Sequence, residues 1–192
     1  YEPLEAQATD ARRFPLSAIT QRPMAMYHSW DSQNAWLRQI HAHNYLFVSP
    51  GTARAEGIDD GDWIWVESQW GKVRCMARFS EAVEPGTVWT WNAIGKAPGA
   101  WTLAPDANEA RLGFLLNHLI SEELPAPDGR ISNSDPVTGQ AGWYDVRVRI
   151  YKAAADEPEE TWPRAQAIGP IPGVERVRRR WQAFVAGRRI GE

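Results

Sequence analysis

The chain has 192 residues, of which 43% are hydrophobic and 23% charged, and its formal net charge is −3. That balance is ordinary for a globular protein of one domain plus extensions, is enough to bury a real core, and gives no general drive toward nucleic acid. No apolar run approaches the ~18 residues that would cross a bilayer as a helix.

The single cysteine excludes an internal disulfide and fits a reducing compartment, so a cytoplasmic location is expected. The chain starts at Tyr1 without a signal-peptide pattern. It is therefore expected to be a piece of a longer polypeptide, with any export signal lying upstream. The 11 tryptophans read first as core and interface anchors and only second as rings for stacking on a ligand.

In chain order, residues 1–13 read as a lead-in, and apolar Leu16, Ala18 and Ile19 mark a first strand over 14–21. It runs into a polar cluster of Thr20, Gln21, Arg22, His28, Ser29, Asp31, Ser32, Gln33 and Asn34. Pro23 keeps 22–27 off a central ladder. Trp36, Leu37 and Ile40 at one-turn spacing predict a helix over 31–41, capped by Ser29 or Asp31. A short strand is expected over 45–48, and Pro50 opens a helical turn through Glu56 that Gly57 stops.

Asp60-Gly61 reads as a turn, followed by strands over 63–68 and 72–79. The second alternates cleanly, with Val73, Cys75, Ala77 and Phe79 on one face. Pro85 and Gly86 sit at the centre of a turn in the manner type II prefers, before a strand over 88–91. Leu112, Leu115, Leu116 and Leu119 predict a helical segment over 107–121. Residues 125–142 read as a long Pro/Gly/Ser/Asn/Asp loop and 143–151 as the last strand. Residues 153–160 read as an acidic linker. Beyond Pro172 a short helix is expected, with Val174, Val177, Trp181 and Phe184 opposite Arg176, Arg178, Arg179 and Arg180. Short strands, tight turns and small helices make a mainly β fold. A closed barrel with helical insertions is expected over 14–152, between the lead-in and the 153–192 tail.

Nucleophile, P-loop, Rossmann and zinc-protease motifs are absent, and there is no C-x-x-C for a cluster or a thiolate zinc site. Cys75 shares a strand face with apolar residues, which reads as a buried structural thiol. His41-x-His43 has no third ligand beside it in sequence and is not assigned a metal. The arginine run in the tail reads as a solvated helix face, with docking onto further protein as the functional alternative.

The polar clusters say more. Arg22 offers a planar fork for phosphate or an oxo-rich heterocycle. Ser29, Ser32 and Asn34 lie where a helix start presents free N–H groups. Asn92 follows a tryptophan-rich strand, Asn117 and His118 interrupt an apolar segment, and Gln140 sits late in the long loop. Singly these are caps and turn residues. Together they suggest a ligand with many hydrogen-bonding edges, such as a nucleotide or a pterin.

At these residues the chain resembles the C-terminal, molybdopterin-dinucleotide-binding domain of the dimethyl sulfoxide reductase family of molybdenum oxidoreductases. Thr20 to Ser29 (TQRPMAMYHS) is similar to the family's T-G-R-x-x-x-x-x-H-[ST] passage. Val48 to Ala53, followed by Gly57 to Trp63 (GIDDGDW), is similar to its GI-x-dGD-x-V passage. Pro85 to Trp89, Asn117-His118-Leu119, and Asp135 to Gln140 with the strand to Ile150 match later passages in the family's order.

The resemblance implies a six-stranded double-psi β-barrel that binds bis-molybdopterin guanine dinucleotide, the organic part of a molybdenum or tungsten cofactor. Carried over by position, Thr20, Gln21, Arg22, Met24, His28 and Ser29 would line the pterin and pyrophosphate, with Trp30, Asn34 and Asn92 beside them. Asn117 and Gln140 would contact the cofactor from later loops. Gln21 stands where glycine is common, and Asp145 where lysine is frequent. The resemblance also implies that the remaining domains of a large subunit supply the metal's protein ligand and an iron–sulfur cluster. The implied partners are a membrane anchor and an iron–sulfur electron-transfer subunit, with no nucleic acid. The chain alone is then not catalytic. Within the family, HSWDSQNAWLRQI, WTWNAIGK and SNSDPVTGQAGWYDVRVR are most similar to large subunits of quinone-linked enzymes acting on sulfur oxyanions such as sulfite. A free-standing barrel serving as a small subunit or interaction module is the alternative.

Overall fold

The computed structural model describes residues 9–27, 34–41, 43–92, 94, 113–121, 123–126, 129–135, 137–140, 146–159, 161, 184–185 and 188–189. Strands β1 (Leu16–Gln21), β2 (Tyr45–Val48), β3 (Trp63–Glu67), β4 (Lys72–Phe79), β5 (Thr87–Trp91) and β8 (Val146–Lys152) close into a barrel in the order β1-β5-β2-β4-β3-β8. The β1–β5 and β2–β4 pairs are parallel, and the other neighbours are antiparallel. Between them lie helices α1 (Ala35–Ile40) and α2 (Pro50–Ala55) and a 3-10 helix over Leu116–Leu119. Closure removes the edges of these six strands, which suits a barrel of such short strands.

Alternation builds the core. Leu16 and Ala18, Leu46 and Val48, Val73, Cys75 and Ala77, and Val146, Val148 and Ile150 are all buried in one cluster with Ile64, Val66 and Val88. Burial pushes the Cys75 thiol far up, as fits an inert structural cysteine. Phe114, Leu116 and Leu119 join this core beside the β3–β4 turn. Ala53 and Ile58 join it near α2, whose N-cap Ser49 accepts from the Thr52 amide at 3.3 Å. Gly61 takes φ +88°, as the Asp-Gly turn requires, and Gly57 ends α2 at φ +67°.

Several expectations are corrected. The N-cap of α1 is Asn34, whose Oδ1 accepts from the Trp36 amide at 3.0 Å, so the helix starts later than Ser29 or Asp31 would place it. Gly86 is absent from the residues with positive φ, and the Thr87 amide donates to the Glu84 carbonyl at 2.8 Å. That turn is closed but is not type II, which needs a left-handed third residue. Leu115 is extended (φ −128°, ψ 131°), so the leucine pattern over 107–121 yields one 3-10 turn in its described part. Residues 107–112 lie outside the described residues.

The long loop contains an antiparallel hairpin, β6 (Glu123–Ala126) and β7 (Gly129–Ser132). Pro125 and Gly129 are themselves paired within it, with Arg130 and Ala126, instead of dissolving the strands. Most of the expected tail helix lies outside the described residues. Phe184, assigned to it, belongs instead to β9 (Phe184–Val185), paired with β10 (Arg188–Arg189).

Residues 153–158 are fastened to the barrel wall as a strap. Both Glu157 oxygens accept from Trp65 Nε1, at 3.1 and 3.0 Å, and the Pro158 carbonyl accepts from Arg74 Nη1 at 2.6 Å. Lys72 and Arg74 lie over the Trp65 ring at 4.2 and 4.5 Å. This cover is why Trp65 and Arg74, on the outward phase of their strands, are nonetheless buried.

Candidate functional site: one end of the barrel

The register sorts the strand ends. The C-terminal ends of β1, β3 and β5 share one end of the barrel with the N-terminal ends of β2, β4 and β8. That end carries Gln21-Arg22, Asn44, the Ser68–Gly71 turn and Trp91-Asn92. The 3-10 helix docks there, because Ser68 Oγ donates to the Leu119 carbonyl at 2.6 Å and accepts from the Trp70 amide at 3.1 Å.

Thr20 pairs in register with Thr90 and is half-buried, on the same strand phase as inward-facing Leu16 and Ala18. Gln21 pairs with Trp91, and its carbonyl accepts from the Asn92 amide at 2.9 Å. Gln21 and Asn92 are therefore brought side by side although 71 positions separate them in the chain. Arg22 is exposed, its guanidinium 6.0 Å from the Tyr27 ring and without a carboxylate partner among the described residues. Met24 is 93% exposed on the turn that follows. Asn117 is exposed on the 3-10 helix at the same end. Beside it, partial burial holds the His118 imidazole below the usual histidine range.

Asn34 uses its side chain to cap α1. Gln140 is exposed on a turn in which Asp135 Oδ1 accepts from the Val137 and Thr138 amides and its own amide donates to the Gln140 carbonyl at 2.7 Å. The Thr138 amide and hydroxyl, with the Val137 amide, hold the Asp135 carboxyl below its usual range. His28, Ser29 and Trp30 lie outside the described residues, as does Asp145.

A small apolar cluster ties the polar ledge to the barrel. Met26 and Ile94 are buried against each other, with Leu37 of α1 and Trp91 of β5 packed on them. Outside β2 and β5 runs a ring strip: Phe47 stacks on Trp89 at 4.0 Å, Trp89 meets Trp91 edge-on at 4.7 Å, and His43 stacks on Tyr45 at 5.5 Å. These tryptophans act as wall anchors, as expected.

Two residues escaped the sequence reading. Asn44 is 4% exposed and bonded to two separate segments, one over 90–94 and the other at Phe114. Its only signal is a lone amide directly before an apolar strand. Ser68 carried no signal beyond its place at the end of the expected strand, which the structure ends at Glu67. A cavity of about 390 Å³ lined by Arg12, Arg13, Thr52, Glu56, Arg149 and Tyr151 lies at the opposite end of the barrel and takes in none of the candidate residues.

The donor set at the first end is a guanidinium, a hydroxyl and several carboxamides. That chemistry fits a group with a pyrophosphate and a heterocycle rich in hydrogen-bonding edges: Arg22 for phosphate, the amides of Gln21, Asn92 and Asn117 for paired donor and acceptor edges.

Comparison with known proteins agrees. Residues 16–125 match the family described as "Molydopterin dinucleotide binding domain", and the chain belongs to that family. It is built for a molybdopterin guanine dinucleotide. It is 70% identical over 189 residues to a sulfite dehydrogenase subunit of Allochromatium vinosum, covering 97% of this chain and 20% of that protein. It is 31% identical over 90 residues to the dimethyl sulfoxide/trimethylamine N-oxide reductase of Cereibacter sphaeroides, covering 45% of this chain and 11% of that protein. The fold is like that of acetylene hydratase from Pelobacter acetylenicus, with TM-score 0.56 at 23% identity over 80% of this chain and 21% of that one. The chain thus spans a fifth or less of the length of these two curated relatives.

Proposed function

We propose that this domain works inside a larger molybdenum oxidoreductase acting on a sulfur oxyanion, with sulfite as the favoured substrate. The 70% identity to a sulfite dehydrogenase subunit supports the substrate. The observation that carries the domain's own part is the gathering of Gln21, Arg22, Asn92 and Asn117 on one end of the barrel. Arg22 binds the pyrophosphate with its fork, and the carboxamides orient the heterocycles by donor and acceptor edges. The Met26–Ile94 cluster holds the ledge dry and fixed behind them. When bound, the group supplies the molybdenum redox centre. The metal's protein ligand and an iron–sulfur cluster come from other domains of the same polypeptide, and electrons pass onward through an iron–sulfur subunit to a membrane anchor.

The test is pterin and molybdenum analysis of the full-length enzyme with and without Arg22→Ala. The variant should retain several-fold less pterin dinucleotide after gel filtration than the wild type. Unchanged content would overturn the assignment. Sulfite-dependent reduction of a quinone analogue by the wild-type enzyme tests the substrate separately.

A further inference from the structure

Asn44 stands immediately before β2 and is 4% exposed. A carboxamide so deeply buried is costly unless its donors and acceptor are filled. Here all are filled, by groups distant in the chain. Nδ2 donates toward the carbonyls of Trp91, Ile94 and Phe114 at 2.9, 3.0 and 3.0 Å, so two N–H hydrogens serve three acceptors. Oδ1 accepts from the Thr90 hydroxyl at 2.8 Å and from the Trp91 amide at 3.2 Å. The Ile94 and Phe114 carbonyls belong to no strand of the barrel and receive here what a ladder would otherwise provide. Asn92 lies between Trp91 and Ile94, and Asn117 lies three positions beyond Phe114.

We propose that Asn44 is a positioning residue for the pterin dinucleotide, an inference that rests on the cofactor reading above. Its carboxamide sets the spacing between the segment bearing Asn92 and the segment bearing Asn117, so both amides meet one ligand across the barrel mouth. No other side chain of this size reproduces the tie. Aspartate has the shape but no donor at neutral pH. Glutamine is a methylene too long for a buried site, and leucine leaves all three carbonyls bare.

Asn44→Asp keeps the accepting arm and removes the three-carbonyl arm. Thr90→Val removes one donor from the accepting arm and leaves the tie. Ile64→Ala opens a cavity in β3 at a buried position paired with Cys75 of β4 and with Lys152 at the far end of β8, and so reports what lost barrel stability does by itself. Each is made in the full-length enzyme, and two quantities are read: the thermal midpoint, and the rate at which bound pterin dinucleotide is lost on dilution, followed by the fluorescence of its oxidised product. Asn44→Asp should lose pterin at least tenfold faster than Ile64→Ala at a matched midpoint, while Thr90→Val stays within about threefold of wild type. Should the aspartate variant not accumulate, Asn44→Ser carries the same expectation, since its short hydroxyl reaches none of the three carbonyls together. Loss no faster than in Ile64→Ala, or equal loss in Thr90→Val and Asn44→Asp, would overturn the role. Failure of the cofactor reading looks different: the wild-type enzyme would carry no pterin, and both ideas would fall together.

Discussion

Glu67 shows how a single charge is kept on the barrel's outer wall. Its carboxylate accepts from Arg149 Nη2 at 3.0 and 2.8 Å and from the Tyr151 hydroxyl at 3.0 Å, with Arg13 at 3.7 Å. Partial burial pushes its pKa up, but the Arg149 and Tyr151 bonds together outweigh this and hold it below the ordinary 4.5. Burial first, and then the same bond to Glu67, pushes the Tyr151 phenol up to about 12. A depressed carboxyl contributes stability that is complete above its unfolded pKa and is lost as pH falls through its folded one. Glu67→Gln keeps the shape and removes the charge, and should cost about 1–2 kcal/mol at neutral pH, the range for partly exposed charge-assisted bonds. Urea unfolding at about pH 7 and about pH 3 checks it, because the wild-type advantage should shrink at the lower pH. An advantage of equal size at both would mean that packing, not charge, is at work. Glu67 and the rim residues differ in how far the chain itself discloses them. Gln21, Arg22 and Asn92 are polar groups at strand ends and were visible as such. Asn44 was not, because its partners at Trp91, Ile94 and Phe114 exist as acceptors only once three distant segments have met.

Elements with strict period two were readable: β4 runs over Lys72–Phe79 as its alternation predicts, and β8 (Val146–Lys152) carries the Val146, Val148, Ile150 alternation and ends one residue past the expected 151. The leucines near 116 were not, because Leu116 and Leu119 share a face at three residues per turn as well as at 3.6, and the barrel core selected the shorter form. The 153–158 strap was hidden for another reason: its acidic composition resembles a linker, and only the Trp65 indole and Arg74 opposite turn it into a fastening. Glu157 is held below the usual carboxylate range first by the Trp65 indole and then by the Ala154 amide, which donates at 2.8 Å. The fastening is therefore complete above about pH 4.5 and loosens as pH falls through the depressed value. Glu157→Ala should speed hydrogen exchange of the Ala154 amide by tenfold or more at neutral pH, with little change in β4 amides. In the wild-type protein at low pH the protection of the Ala154 amide, taken relative to its intrinsic exchange at that pH, should fall toward that of the variant. Protection at Ala154 that ignores both the substitution and the pH would show that the strap is held without Glu157, by the Arg74–Pro158 bond and the Ala153–Trp63 backbone bond.

At the scale of the molecule the barrel separates a ligand end from a far end, and two glycines test that division. Gly71 sits in the β3–β4 turn at the ligand end, where a Cβ would stand 2.7 Å from the His118 carbonyl oxygen. That oxygen belongs to backbone and cannot rotate aside, and the neighbouring Leu119 carbonyl is already held by Ser68 at 2.6 Å. An alanine must therefore push the 3-10 helix, and Asn117 with it, away from the turn. Gly86 lies at the far end, before β5; a Cβ there meets nothing within 4 Å, and its φ is not left-handed. Gly71→Ala should cost about 1–3 kcal/mol, as overpacking does, and speed the loss of pterin dinucleotide from the full-length enzyme. Gly86→Ala should change stability by less than ~1 kcal/mol, in either direction, and leave pterin retention alone. Thermal unfolding and pterin loss measured on both variants decide the matter. Equal pterin loss would mean that the two ends are coupled through the barrel and that the ligand end has no independent geometry. Loss in Gly71→Ala alone would mean that the approach of turn to 3-10 helix, a contact between segments 47 positions apart in the chain, is what keeps Asn117 in place at the mouth.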